Sequence, residues 1–153
     1  MVVGATALAV TLSLAGCGRD DFPDRTARVS IGARTTTYDL DSCGLDGATA
    51  FAVGQSDGGA VLQAVLGLDA EKAGVVESSG LTFSDDGISL AAFGAESWSR
   101  RRAPGAPPGS ITSARLRGSR IQISGDAVPV DETDLPTGSG GRVAFSFDAR
   151  CDQ

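Results

Sequence analysis

Short segments in which apolar and polar residues alternate recur along this chain, and glycine-rich or aspartate-rich turns separate them. The last of them, residues 142–151, is the clearest, because Val143, Phe145 and Phe147 occupy every second position. Alternation with a period of two is typical of a strand that is buried on one face. The chain is therefore constrained to fold mainly as β-structure, with tight turns between successive strands.

Several other segments have the composition of strands. Segments 27–31 and 34–40, and segments 112–116 and 120–128, flank short glycine-containing turns, so each pair is predicted to form a hairpin. Further strands or extended pieces are predicted at 48–53, 74–76, 81–83 and 88–93, with a hairpin turn at Ser84-Asp85-Asp86-Gly87. The run 60–68 fits a buried strand and a helical stripe about equally well, and its short flanks favour a strand.

These segments predict an all-β fold, a small antiparallel β-sheet or sandwich with about eight short strands. Little helix is expected beyond one turn near residues 69–72. Residues 99–110 contain three arginines, three prolines and two glycines, and we expect them to form a long exposed loop. A turn-rich connection is predicted at 129–141.

An apolar segment without charge precedes the tetrad Leu14-Ala15-Gly16-Cys17, and the chain turns polar directly after it. The segment is shorter than the roughly 20 apolar residues that span a bilayer, which favours a cleaved export signal. Such signals usually begin with basic residues, but no lysine or arginine precedes Cys17. We therefore expect Met1 to be an internal methionine of a longer reading frame.

The tetrad resembles a bacterial lipobox, in which lipid is attached to the cysteine thiol and the signal is cut just before that cysteine. The small residues Ala15 and Gly16 leave room for the peptidase, Leu14 fills an apolar subsite, and Cys17 supplies the thiol. The alternative is an ordinary secretory signal with a coincidental cysteine. The predicted organisation is a signal at 1–16, a lipidated N-terminus and short tether at 17–26, and a single β domain at 27–153, held at the extracytoplasmic face of the cell membrane.

The other two cysteines, Cys43 and Cys151, form an even number in an exported chain, which predicts a disulfide bond. A redox or metal-binding pair is the alternative, but the chain has no Cys-x-x-Cys spacing and no histidine. We predict no metal and no cofactor other than the covalent lipid on Cys17.

The formal net charge of −6 argues against nucleic acid as a partner, because that partner requires a basic face. The basic residues Arg100, Arg101 and Arg102 follow Trp98, and together they form a candidate partner-binding loop for an envelope protein or polyanionic polymer. The alternative is a solvated loop tip.

An enzyme is not predicted. Nucleophilic mechanisms that use histidine are excluded by its absence, and the only lysine, Lys72, lies in no Ser-x-x-Lys motif. Adjacent carboxylates occur at Asp20-Asp21, Asp85-Asp86 and Asp131-Glu132, in positions typical of solvated turns. A calcium site at Asp39, Asp41 and Asp46 is weakly indicated, because no EF-hand spacing follows.

The sequence resembles the nineteen-kilodalton lipoprotein antigens of mycobacteria and related actinobacteria. The resemblance is carried by the lipobox, by the early hairpin 27–40 that leads into Cys43, by the strand 121–127 and by the closing segment 145–151. It implies a surface-exposed lipoprotein whose molecular role is unsettled. It also implies that host Toll-like receptors can sense the acylated N-terminus when the organism meets a host.

Two functions of different class follow. In the first, an envelope-anchored β domain binds another protein or a polymer through a sheet face or through the loop after Trp98. In the second, the domain carries a small apolar ligand or lipid, which requires an enclosed apolar cavity of a few hundred cubic ångströms.

Overall fold

A computed structural model describes residues 22–68 and 74–152. The predicted signal, the lipobox with Cys17 and the helical turn at 69–72 lie outside these residues. The described part contains nine strands and two short helices, in the order β1 (Thr26–Ile31), β2 (Arg34–Asp46), β3 (Thr49–Gln55), β4 (Val61–Gly67), α1 (Gly74–Glu77), β5 (Ser79–Asp85), β6 (Ile88–Phe93), α2 (Ala95–Arg100), β7 (Ser110–Arg117), β8 (Arg120–Pro129) and β9 (Val143–Arg150).

All strand pairs are antiparallel, and the sheet order is β6-β5-β4-β3-β2-β1-β9-β8-β7. An additional pairing joins β6 to β8, where Leu90 lies opposite Pro129 and Ala91 opposite Val128. The predicted all-β, antiparallel fold is confirmed, but the sheet closes into an eight-stranded barrel, so the expected sandwich was wrong. Closure covers the edge strands that an open sheet would leave unpaired.

Strand β8 changes partner along its length. It pairs with β6 near Pro129, and with β7 from Arg120 to Asp126. Gly109 precedes β7 at this branch point, with a φ of +62° and with no room for a side chain. A Cβ atom there would lie 2.3 Å from the carbonyl oxygen of Asp126 and 2.7 Å from that of Ala91. Only glycine combines this backbone conformation with so close an approach of two strands.

The interior of the barrel is filled by side chains, as expected for eight strands. Tyr38 crosses it, because this residue of β2 donates a hydrogen bond from its hydroxyl to the carbonyl oxygen of Ser84 on β5, at 2.8 Å. The other large, fully buried apolar side chains of the interior are Leu62, Leu66, Leu81, Phe83, Ile121, Ile123 and Phe147.

Most of the strand predictions are confirmed. Both expected hairpins form, the run 60–68 contains β4, and the turn 84–87 joins β5 to β6. The extended piece predicted at 74–76 was wrong, because these residues belong to helix α1, whose Val75 and Val76 pack against the core. Strand β2 is also longer than expected and includes Cys43.

No helix within residues 22–68 and 74–152 combines the length and the apolar character that a membrane span requires.

Candidate functional site: the mouth of the barrel

One end of the barrel, which we call the mouth, is formed where β1 begins. Thr26, the first residue of β1, lies between Asp39 on β2 and Arg150 on β9. Beyond this point β2 continues without β1 beside it, and the Cys43–Cys151 disulfide bond connects the two neighbours of β1, with 5.2 Å between the Cα atoms. The predicted disulfide bond is present. It joins β2 to the end of β9 at the position where β1 no longer lies between them.

A cavity of about 480 Å³ opens at the mouth. Its lining includes Leu45 beyond Cys43, Leu116 and Ile121 from the β7–β8 hairpin, and the disulfide at Cys151. Leu45 is 61% exposed, which is high for a leucine beside an apolar cavity. The cavity therefore presents apolar surface to its opening, and it lies outside the packed interior.

The chain enters the fold at the same end. Phe22 is only 4% exposed, and its ring lies beneath the guanidinium groups of Arg28 and Arg120, whose central carbons are 4.6 and 5.9 Å from the ring centroid. Arg150 donates a hydrogen bond to the carbonyl oxygen of Phe22 and forms an ion pair with Asp24. Phe22, predicted to lie in the tether, packs on the outer face of the sheet, and the exposed Asp24 and Arg25 form ion pairs with the C-terminal part of the domain.

Arg25 connects this entering segment to the mouth. Its guanidinium group forms an ion pair with Asp152 at 3.0 Å and donates hydrogen bonds to the carbonyl oxygens of Leu40 and Asp41. Asp152 also lines the mouth cavity. The position at which the chain enters is thus fixed relative to the cavity.

The opposite end, which we call the far end, carries the β1–β2 and β5–β6 hairpins. Arg34 on the first hairpin forms ion pairs with Asp85 and Asp86 on the second. Asp85 and Asp86, one of the adjacent carboxylate pairs in the sequence, therefore act as the counter-charges of Arg34.

The candidate partner-binding loop differs from its prediction. Trp98 and Arg100 belong to helix α2, and Trp98 is only 3% exposed, packed 5.3 Å from the ring centroid of Phe93. Arg100 pairs with Glu96, whereas Arg101 pairs with Asp134 and lies over the ring of Phe93. The indole of Trp98 fills a second, smaller apolar cluster, so it is not presented to a partner. The loop predicted at 99–110 begins only after α2 ends at Arg100.

Arg102 is exposed and has a positive φ of 53°. It is the part of the predicted binding loop that remains at the surface without an ion pair among the described residues. Arg100 and Arg101 are also exposed, but a carboxylate accompanies each of them, which weakens the attraction of this segment for a polyanion.

Tyr38, Glu96 and Asp131 have perturbed pKa values, each with a local cause. Burial, and secondarily the charge of Asp85, raises the pKa of Tyr38 to about 12. A hydrogen bond from the Ser78 hydroxyl, together with Arg100, lowers the pKa of Glu96. Hydrogen bonds from the side chain and backbone of Thr133 lower the pKa of Asp131. None of the three lines the mouth cavity, and structural contacts explain each pKa shift.

Among residues 22–68 and 74–152, no three cysteine, aspartate or glutamate side chains are grouped closely enough to hold a metal ion. In the same part of the chain, every fully buried side-chain nitrogen or oxygen atom has a hydrogen-bond partner. Asp39, Asp41 and Asp46, the weakly indicated calcium ligands, lie along β2.

Sequence reasoning missed Leu45 and Phe22 as residues of this site. Leu45 lies in the part of β2 that was not predicted as strand, and Phe22 is a single aromatic residue among polar ones. Phe22 lies close to Arg28, Arg120 and Arg150 in the fold. The sequence does not reveal this proximity, because the three arginines come from different strands, β1, β8 and β9.

The fold and the mouth define a small, closed all-β domain with one disulfide bond and an apolar opening at the end where its chain enters. No known protein family matches the sequence, and no curated protein matches it.

Proposed function

We propose that this protein is an exported bacterial lipoprotein, anchored through Cys17 at the extracytoplasmic face of the cell membrane, whose β domain is a non-catalytic interaction module. The proposal rests on the fact that only two of the three cysteines are joined in the disulfide bond. Cys43 and Cys151 are bonded to each other, so Cys17 in the lipobox-like tetrad is the third cysteine. A disulfide bond is also typical of exported proteins.

The outer surface of β3 and β4 supports the interaction role. Phe51 lies directly opposite Val65, and Val53 and Val61 extend the same outward-facing stripe. Val61 is exposed, and the other three are half-buried. Half-exposed aromatic and branched side chains on a sheet face are suited to contact with another protein.

The anchor is tested by intact-mass measurement of the protein purified from membranes of an actinobacterial host, with and without reduction. The expected mature chain begins at Cys17, carries two or three acyl chains, and gains two hydrogens on reduction of the disulfide bond. Two chains are needed because a single acyl chain gives only marginal membrane binding. The matched control is Cys17→Ser, which should remain unacylated and be absent from the membrane fraction.

An unacylated wild-type chain, or one cleaved elsewhere, would contradict the lipoprotein proposal. The resemblance to mycobacterial lipoprotein antigens, and any sensing of its N-terminus by host receptors, would lose their basis with it. The disulfide bond would be unaffected by that outcome, because it lies within the body of the protein.

The interaction role is tested by photo-crosslinking on cells, with a photoreactive residue in place of Val53. We expect a discrete crosslinked species, which Phe51→Ser should abolish. A photoreactive residue in place of the exposed Thr112, on β7, is the control and should give no crosslinked species. Equal crosslinking from the two positions would count against β3 and β4 as the interaction surface.

A second candidate function is carriage of a small apolar ligand or lipid, which the mouth cavity favours. The packed interior leaves the open cavity of about 480 Å³ as the place for such a ligand. Organic extraction of the purified protein, followed by mass spectrometry, should then yield one lipid in stoichiometric amount. Leu116→Glu, in the lining, should abolish its recovery, and an extract without lipid would dismiss this candidate.

A further inference from the structure

The exposed large apolar side chains lie at both ends of the barrel, but the two ends differ in their surroundings. Leu45 and Leu68, which are 61% and 37% exposed, lie at the mouth end. The backbone N–H of Leu68 donates a hydrogen bond to the carbonyl oxygen of Ala48 in the β2–β3 turn, which places Leu68 beside the hairpin that carries Leu45. At the far end, Val61 and Ile88 are comparably exposed.

The length of the N-terminal segment relates these ends to a membrane. Five residue steps separate Cys17 from Phe22, and an extended chain covers at most about 3.6 Å per residue, or roughly 18 Å in all. Phe22 is held against the body near the start of β1, at the mouth end. A lipid on Cys17 would therefore hold the mouth end close to the bilayer, with the far end a further strand length of about 20 Å away.

The charges around the mouth favour a neutral lipid surface. Asp41, Asp46 and Asp152 lie at this end together with Arg25 and Arg117, so neither sign dominates. A mixed rim provides no strong attraction to anionic headgroups, which would require a basic face. The exposed leucines instead favour burial at the interface of a zwitterionic bilayer, at about 25 cal/mol per Å² of apolar surface removed from water.

We propose that the mouth is a membrane-docking surface, and that it lies on the bilayer with Leu45 and Leu68 inserted at the level where headgroups meet acyl chains. The occupant of the apolar opening is thus the bilayer to which the chain is anchored. This inference rests on the proposed lipidation of Cys17. It adds an orientation, in which the far end and the outer face of β3 and β4 remain open to other envelope components.

The experiment uses the full lipidated protein reconstituted in phosphatidylcholine vesicles, with tryptophan placed at either end. Leu45→Trp reports on the mouth, and Ile88→Trp, at a position that is 54% exposed, is the matched control at the far end. Lipids brominated along their acyl chains quench tryptophan that enters the bilayer. The native Trp98 is buried, and its signal is subtracted by measuring the wild-type protein.

The proposal predicts that brominated lipid quenches Leu45→Trp several-fold more strongly than Ile88→Trp. Leu68→Trp provides a second reporter at the mouth, in case the first substitution disturbs the neighbouring disulfide bond. Vesicle flotation is measured on the same samples. Equal quenching at the two ends, or stronger quenching of Ile88→Trp, in protein that floats would overturn the docking surface and leave the anchor intact. Failure to float would overturn both.

Discussion

Two apolar clusters of this protein are built in different ways. The barrel interior draws its side chains from alternate positions of the strands, and it is closed at the mouth by the disulfide bond. The outer cluster consists of Ala91, Phe93, Trp98 and Val130, and it lies between β6, helix α2 and the connection that follows β8. The interior is thus surrounded by strands, whereas the outer cluster is covered on one side by a helix and a loop.

The difference shows how β6 serves both clusters. Leu90 and Ala92 point into the barrel, while Ala91 and Phe93 point outward under α2. A strand with both faces buried loses the alternation of apolar and polar residues that identifies a strand with one solvated face. The outer cluster is covered on one side by a helix and a loop instead of by paired strands, and we expect it to unfold before the interior.

The largest effect is expected from removing the disulfide bond of the interior. Cys43→Ala combined with Cys151→Ala releases a loop closed over a separation of 108 residues. The loss of unfolding free energy should approach about 4.7 kcal/mol, the chain-entropy value for a loop of about a hundred residues. Chemical denaturation followed by far-ultraviolet circular dichroism measures this loss.

The wild-type protein in reductant is the control, and it should behave like the double variant. The variant itself should not respond to reductant. A loss below about 1 kcal/mol, well under the usual range for native disulfide bonds, would show that strand pairing alone holds the mouth closed.

Matched substitutions of phenylalanine compare the two clusters directly. Phe83 in the interior is 1% exposed and its ring packs against Phe145, whereas Phe93 in the outer cluster is 3% exposed and packs against Trp98. Replacing a buried phenylalanine by alanine costs about 3–5 kcal/mol, depending on how far the site collapses. We expect Phe83→Ala near the middle of this range, below the effect of removing the disulfide bond, and Phe93→Ala near the lower end, as measured by urea denaturation.

Tryptophan fluorescence separates these two variants further, because Trp98 is the only tryptophan. Phe93→Ala should shift the emission of the folded protein, and Phe83→Ala should leave it near that of the wild type. The reverse order of destabilisation would mean that the outer cluster is as rigidly enclosed as the interior.

The sequence predicted the part of the fold that follows a period of two. Alternation from Val143 to Ala149 identified β9, and turn residues located both hairpins, because these signals are local. Closure of the barrel was not predictable in this way, since it depends on β6 and β8 meeting at Ala91 and Val128, far apart in the chain.

The candidate site was predicted only through its cysteines. Their even number gave the disulfide bond, but its place at the mouth follows from the start of β1 between β2 and β9. Trp98 was misinterpreted as an exposed residue, because its burial depends on contacts with Phe93 and on a hydrogen bond from the indole N–H to the carbonyl oxygen of Gly105. Neither contact leaves a pattern in the local sequence.

Tyr38 makes the stability of the interior depend on alkaline pH. Folding raises the pKa of its hydroxyl from the ordinary 10.0 to about 12, mainly by burial. Since the folded pKa is the higher one, its contribution is fully present below pH 10 and is lost as pH rises towards 12. A shift of two pKa units corresponds to a contribution of about 2–3 kcal/mol to the free energy of unfolding.

Denaturation at a series of alkaline pH values checks this expectation, with Tyr38→Phe as the comparison. The variant lacks the hydrogen bond to Ser84, so its free energy of unfolding should be about 1 kcal/mol lower at neutral pH. That free energy should also change less over the alkaline range than in the wild type. Because Tyr38 is the only tyrosine, the ultraviolet absorbance of tyrosinate follows its titration directly. Titration near pH 10 in the folded protein would contradict its burial.

The smallest effect is expected from Asp131, which supports the outer cluster beside Val130. Its carboxylate accepts hydrogen bonds from the hydroxyl and backbone N–H of Thr133 and from the backbone N–H of Leu135, and these lower its pKa. A lowered pKa in the folded state stabilises the protein above the ordinary aspartate value of about 3.9, and this contribution is lost as pH falls through the folded value. Acid should therefore loosen the connection after β8.

Asp131→Asn and Asp131→Ala separate the charge from the hydrogen bonds of this turn. Asparagine keeps an acceptor for Thr133 and Leu135 but does not titrate, so this variant should retain most of the stability at neutral pH and lose less of it in acid. Alanine removes the acceptor, so it should be the less stable of the two variants at neutral pH. Trp98 fluorescence during acid titration provides the measurement, since the indole shares a cluster with Val130. If Asp131→Asn kept the full acid response of the wild type, the response would have to come from another carboxylate. Glu96, on the helix that carries Trp98 and also with a lowered pKa, would be the next to replace.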